Sequence, residues 1–201
     1  MSLNCLASKQ KPLTKLIDAR LIPRLITQLC TACLLATGVA QADGNRQLAD
    51  IHESIQHEFA TIEHVDASRL EAMADRDLLV FDVRRQDEFD VSHLAGAVRV
   101  AADVSVDEFM ASYSHLARGK SLVFYCSVGQ RSSALASRLR EPLLIAGASE
   151  VYNLEGGIFR WHNDGRALVN ASQDSTYIHP YNAYWGRLID RSELIRYRPV
   201  D

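Results

Sequence analysis

An α/β fold, a parallel sheet with helices on both faces, is predicted by three observations. Apolar strand-like runs alternate along the chain with segments of helical periodicity, the pattern of βα units joined by right-handed crossovers. Two of the runs, LLVFDV at residues 78–83 and LVFY at residues 122–125, are apolar with at most one acid, as strands buried on both faces are. The second run ends on Cys126. The loop SVGQR follows, and residues 132–140 then place Ala134, Leu135 and Leu139 at helical spacing.

The first residues differ from the rest. Lys9, Lys11, Lys15, Arg20 and Arg24 face a single acid, Asp18, and an apolar run over residues 25–39 follows. It closes on Ala40-Gln41-Ala42. A basic stretch, a short apolar stretch and a small-x-small site describe a secretory signal over residues 1–42, cut after Ala42, and so a periplasmic or secreted protein with no membrane attachment after cleavage. An uncleaved anchor ranks second, because Thr27, Gln28, Thr31 and Thr37 interrupt a run shorter than the roughly 20 apolar residues of a span. A lipoprotein reading through Cys33 is weaker, with Cys30 three residues before it. The whole chain carries a net charge of −3, and loss of the basic leader makes the remainder more acidic. That excludes nucleic acid and anionic membrane surfaces as general partners. Of the four cysteines, only Cys126 lies beyond the cut. It has no partner for an internal disulfide, so it is either an inert core thiol or a reactive one.

Residues 43–60 form an N-terminal extension. Its polar start, residues 43–47, is expected to be loose, and Leu48, Ile51, Ile55 and Phe59 share one helical face. Residues 62–65 read as a short strand, and Asp66 as the N-cap of a helix burying Leu70 and Met73. After the strand at 78–83, residues 84–91 are charged and read as loop or short helix. HLAGA at 93–97 is a turn and 98–100 a short extended piece. Ser105 with Glu108 forms a capping box for a helix burying Phe109, Tyr113 and Leu116, which Gly119 ends. The helix after Cys126 is expected to break or kink at Pro142 and resume to Gly147. EVYNL at 150–154 is a strand, and Gly156-Gly157 a tight turn into a helix carrying Ile158 and Trp161. Residues 169–201 form a tail rich in Tyr and Arg, with Tyr177, Pro180, Tyr181, Tyr184 and Trp185 close together. Packing over the domain surface is its first reading. A lid or a protein-binding segment is the second, since aromatics and Arg favour interfaces.

Ligands of such sheets sit at the carboxyl ends of the strands, where Cys126, Asp82 and Arg84 all fall. A cysteine there, in a loop that opens a helix, meets converging N–H groups and the positive end of the helix dipole. The same field lowers a thiol's pKa and makes it a nucleophile at neutral pH.

Four motifs, LLVFDVR (78–84), EFDVSHLAGAVRV (88–100), FYCSVGQRS (124–132) and VYNLEGGIFRW (151–161), resemble in order and spacing those of rhodanese-like domains, over residues 61–168. The resemblance implies a five-stranded parallel sheet and a sulfurtransferase with Cys126 as sulfur carrier. Its thiolate takes the outer sulfur of a donor such as thiosulfate, and the persulfide passes that sulfur to cyanide or a thiol, with no metal and no cofactor. It further implies that the loop of Ser127, Val128, Gly129, Gln130 and Ser132 holds the anion, that Arg131 orients the loop or meets the donor's charge, and that Arg84 is a second anion contact. Asp82 and Glu88 are expected to be structural, pairing with an arginine or capping a turn.

Four residues separate Cys126 from Arg131. That is the sulfurtransferase length, and related phosphatases carry one more, so sulfur is favoured over phosphate, and an arsenate reductase built on a similar loop stays open as a lower-ranked reading. Ser127 stands where many thiosulfate-using relatives are basic, which weakens attraction for a dianion. Ser92 and Ala95 replace the usual Gly and Pro around His93, which is expected to serve the turn. The remaining histidines lack zinc-ligand spacing. A binding or redox-partner module without turnover is the alternative reading. Its usual sign, a missing cysteine, is absent.

Overall fold

The computed structural model describes residues 44–73, 77–171 and 174–200. The expected signal segment, its cut after Ala42, and Asp43 lie outside the described residues. Five strands, β1 (Glu63–Val65), β2 (Leu78–Asp82), β3 (Val98–Arg99), β4 (Ser121–Tyr125) and β5 (Glu150–Leu154), form one sheet in the order β1-β5-β4-β2-β3. Every neighbouring pair is parallel. β4 lies between β2 and β5, and its register sets Phe124 beside Phe81 and Tyr125 beside Asp82.

Because side chains alternate across a strand, β4 feeds two cores. Leu122 and Phe124 pack with Phe81, Phe109, Leu135 and Leu139 under helices α4 (Val106–Ala117) and α5 (Gln130–Ile145). Val123 and Tyr125 pack on the other face with Val65, Leu154 and Ile158, beneath α1 (within residues 44–58), α2 (Ala67–Ala72) and α6 (Gly157–Asn163). All four of these β4 side chains are fully buried, each stabilising the fold by about 1.5–3 kcal/mol. The sequence placed most of these elements, and Asp66 caps α2 by accepting from Arg69 N–H (2.7 Å).

Two expectations are corrected and two that were open are narrowed. Leu116 on α4 is exposed rather than buried. Residues 44–47 are helical rather than loose, because Gly44 packs so closely that a Cβ there would lie 2.2 Å from Asp190 Oδ1. Asn45 also accepts from Asn163 Nδ2 (3.3 Å), so this turn is tied to the domain. Of the two outcomes open at Pro142, the break does not occur: helix α5 runs through it to Ile145. The ring comes one turn before the helix end, and burial of Leu135, Leu139 and Leu143 on one stripe holds the helix together across it. Residues 84–91, open between loop and helix, contain helix α3 (Gln86–Val91). Its Arg85 N-cap N–H donates to Glu88 Oε2 (3.1 Å), which turns the Glu88 side chain inward.

The tail is ordered against the second core. It pairs β6 (Leu168–Val169) with β7 (Asp174–Ser175), buries Ile178, Leu188 and Ile189, and makes two short 3-10 turns, Trp185–Leu188 and Ser192–Leu194. Asn163 Nδ2 donates to Leu188 O (2.8 Å), and Asn163 Oδ1 accepts from Asp190 N–H (3.0 Å). Among the described residues, no helix is long and apolar enough to cross a membrane.

Candidate active site

The end of β4 delivers Cys126 to a loop closed by Gly129, which caps α5 in the left-handed region (φ 105°). Only glycine takes that conformation without strain. It aims the Gly129 N–H at Cys126 Sγ, 3.3 Å away. Burial pushes the Cys126 thiol up. The Arg131 charge and hydrogen bonds from the Ser132 hydroxyl and from the Ser132 and Val128 N–H groups outweigh it, and the pKa falls below that of an ordinary thiol.

Arg131 is held from below by a carboxylate that the sequence left as merely structural. Glu88, whose side chain is fully buried, accepts from Arg131 Nη1 (3.1 Å) and Nη2 (3.0 Å) in a bidentate pair. Ser127 Oγ accepts from Arg131 Nη2 (3.0 Å) and donates to Glu88 Oε1 (3.2 Å). Burial would raise the Glu88 pKa, but the bonds and charge of Arg131 hold it below the usual carboxylate range. Glu88 therefore fixes both the guanidinium and the first loop side chain, and α3 is the element that carries it.

Arg84, expected at the anion, is placed elsewhere. Its side chain is fully buried and donates through Nη2 to Asp82 Oδ2 (2.6 Å) and Ser92 O (2.6 Å) and through Nε to Asp82 Oδ1 (3.0 Å). An ion pair two residues apart at the end of β2 consumes the charge locally, and Arg84 does not line the pocket in front of the thiol. Asp82 is its structural partner. His93 serves its turn, with Nδ1 3.0 Å from Phe89 O and its ring stacked on Phe89. The loop residues Ser127, Val128 and Gln130 join Cys126 and Arg131 in the pocket wall, while Ser132 sits behind them, fully buried.

Behind the loop runs a second polar layer. Ser132 Oγ lies 2.6 Å from Asn153 Oδ1, and Asn153 Nδ2 lies 3.1 Å from His64 Nδ1. The His64 ring meets His52 edge-on at 4.7 Å. Burial, with the His52 ring adding to it, pushes His64 down to about 4, and burial likewise pushes His162 to about 4. Both are thus neutral in the fold and take up protons near pH 6.5 once unfolded. Where the unfolded chain binds more protons, stability rises with pH. The thermal midpoint is therefore expected to fall as pH drops from about 6.5 to about 4, and His64→Gln should flatten that slope in melts recorded across the range.

Gly157 lies directly beneath the loop. Its φ is 57°, and a Cβ there would sit 2.4 Å from Cys126 O and 2.7 Å from Ser127 O. Those carbonyls accept from Ile158 N–H (2.9 Å) and Phe159 N–H (3.0 Å), which tie the loop to α6. Gly157→Ala is expected to cost about 1–2 kcal/mol for the left-handed backbone alone, and more for the clash. It should lower the thermal midpoint and slow Cys126 alkylation together.

Cys126 itself is 1 % exposed, but it lines a pocket of about 170 Å³. The outer wall of that pocket is Tyr181 and Trp185 from the tail. The Tyr181 ring faces Arg131 at 4.8 Å and Arg85 at 5.1 Å. A lid is the tail's second reading from the sequence, which does not show that these two aromatics line the pocket of the thiol. Their clustering in the tail was the available signal, and it did not say what they cover.

A family model described as Rhodanese-like domain matches residues 66–164. The thiosulfate sulfurtransferase GlpE of Coxiella burnetii is 32% identical over 104 residues, 51% of this chain and 87% of that protein. The tRNA uridine(34) hydroxylase of Aster yellows witches'-broom phytoplasma is 30% identical over 94 residues, 46% of this chain, and the match spans only 29% of that protein's length. A thiosulfate sulfurtransferase from Pseudomonas aeruginosa, known from its crystal structure, aligns over 61% of this chain and 23% of its own with a TM-score of 0.45 and 21% identity. With its five-stranded parallel sheet, its cysteine loop and a relative matched over most of that relative's length, the chain belongs to the rhodanese-like family.

Proposed function

We propose that the protein is a sulfurtransferase that moves sulfane sulfur through a persulfide on Cys126. The observation that carries this reading is the thiol's setting: a buried sulfur that nevertheless has a lowered pKa, because Arg131 and the loop N–H groups favour its ionised form. The thiolate attacks the outer sulfur of a donor, the donor's S–S bond breaks, and the leaving group departs with the electron pair, as sulfite when the donor is thiosulfate. The new terminal sulfur is anionic. The same amides and the α5 N-terminus stabilise it as they do the thiolate. An acceptor thiolate or cyanide then attacks that terminal sulfur and regenerates Cys126. Similarity to the Coxiella thiosulfate sulfurtransferase over most of its length supports this reaction over the one named for the phytoplasma relative, of which the chain matches a minor part. The overall negative charge also disfavours an RNA substrate.

We place the reaction in the periplasm or outside the cell, on the strength of the basic and apolar leader that ends in Ala40-Gln41-Ala42. Intact mass of the protein purified from cells tests both parts. The expected species begins at Asp43 and becomes one sulfur atom heavier on incubation with thiosulfate, with release of sulfite. A mass that no sulfane donor increases would falsify the transfer reading.

A further inference from the structure

We propose that the pocket in front of Cys126 selects donors that carry their sulfane sulfur on an apolar organic group with a single negative charge, such as an aryl thiosulfonate, over the small dianion thiosulfate, and that Tyr181 and Trp185 determine this preference. The inference rests on the sulfurtransferase reading of the same site and names its substrate class.

Shape is the first ground. Val128, Tyr181 and Trp185 give the pocket apolar walls beside the sulfur, and its volume is about 170 Å³. A cavity of about 150 Å³ lined by apolar side chains holds a benzene ring. A sulfite group would leave those walls facing water, whereas an aromatic ring would cover them.

Charge is the second ground. Arg131, the cation nearest the thiol, is matched by Glu88 through two hydrogen bonds. Arg85, the other guanidinium against the Tyr181 ring, donates to both oxygens of Asp87 (3.2 Å each). Tyr181 lies against both guanidiniums. Ser127, which could have been a base, is neutral and is itself spent on Arg131 and Glu88. No cation among these groups is left over for a second negative charge, and the thiolate adds one of its own. The loop amides that remain suit one anionic sulfur terminus.

The third ground is the build of the wall. Tyr181 holds a left-handed backbone (φ 64°), the only non-glycine residue among the described ones to do so. A residue other than glycine keeps such a conformation where its surroundings dictate it, and such residues cluster at ligand sites. Here the constraints are Ile178 and Leu188, both buried, which anchor the chain before and after Tyr181, and the bond from Tyr181 N–H to His179 Nδ1 (3.0 Å).

The step balances for the organic donor as for thiosulfate. The Cys126 thiolate bonds to the terminal sulfur of the thiosulfonate, the S–S bond to the sulfonyl sulfur breaks, and the sulfinate leaves with the electron pair. The persulfide keeps the one negative charge that the thiolate brought.

The test uses the full chain with benzenethiosulfonate and thiosulfate, and reads the rate of sulfur gain at Cys126 by rapid quench and mass spectrometry. Tyr181→Ala and Trp185→Ala are each expected to lower the ratio of the two rates about tenfold, the scale of losing one apolar contact in a specificity pocket, and Tyr181→Phe should keep it. A ratio unmoved in both alanine variants overturns the proposal. On the unaltered chain, benzenesulfinate should protect Cys126 from alkylation at lower concentration than sulfite does, and equal or reversed protection overturns the proposal without any variant. Sulfur gain from thiosulfate with no aromatic preference defeats this inference alone. No gain from either donor defeats the transfer reading and this inference with it.

Discussion

Cys126→Ser is expected to stop sulfur loading altogether while leaving the protein folded. A serine hydroxyl stays protonated at neutral pH and cannot displace sulfite from sulfur, so the mass gain with any sulfane donor should fall to background. The fold should tolerate the change, because the serine oxygen still accepts from Gly129 N–H, the donor now aimed at the thiol. Cys126→Ala provides the contrast. It removes the acceptor from a buried site, and leaving a buried N–H unpaired costs about 1–3 kcal/mol. Intact mass reads the first effect and thermal melts the second. Persistent loading of the serine variant would mean that the sulfur resides elsewhere.

That loop was legible in the chain because its parts are contiguous. A strand, a cysteine, a glycine able to turn left-handed and a helix follow one another within residues 121–145, and local rules read them in order. The parallel sheet was legible for the same reason, since its strands are short apolar runs with distinct ends. What supports the loop was not legible, because it comes from far away. Glu88 lies 43 residues from Arg131, inside a charged stretch where any acid looks like a solvent-facing one. Only the inward turn of α3 tells it apart. Arg84 misled for the opposite reason. Its motif is local and sits at a strand end, but so does Asp82, and two opposite charges that close neutralise each other before any ligand arrives. The tail shows the largest gap. Tyr181 and Trp185 have no periodicity that points at Cys126, and their position follows from where Ile178, Leu188 and Ile189 find room on the second core. At residues 44–47 and at Pro142, tertiary packing overrides a local preference.

Arg131→Met is the substitution expected to separate the support of the loop from its electrostatics. The methionine fills much of the arginine stem, but Glu88 is left in a fully buried site with Ser127 Oγ, the Arg85 N–H and the half-exposed Arg85 guanidinium at 3.5 Å to meet its charge. Breaking a buried pair by removing one partner costs about 3–5 kcal/mol. In a chain of this size each kcal/mol lowers the thermal midpoint by about 2–4 °C. The thiol suffers as well, since the Arg131 charge is the largest influence that offsets the burial of Cys126. Its pKa should rise, and the pH profile of Cys126 alkylation should move to the alkaline side. The double variant Arg131→Met/Glu88→Gln removes the stranded charge too, so it should regain part of the lost midpoint yet keep the alkaline profile. Arg131→Lys should do the reverse, keeping most of the charge at the thiol while losing the planar fork that meets both Glu88 oxygens. If the methionine variant titrates as the unaltered protein does, Arg131 is a strut for Glu88 and Ser127, and the loop amides alone ionise the sulfur.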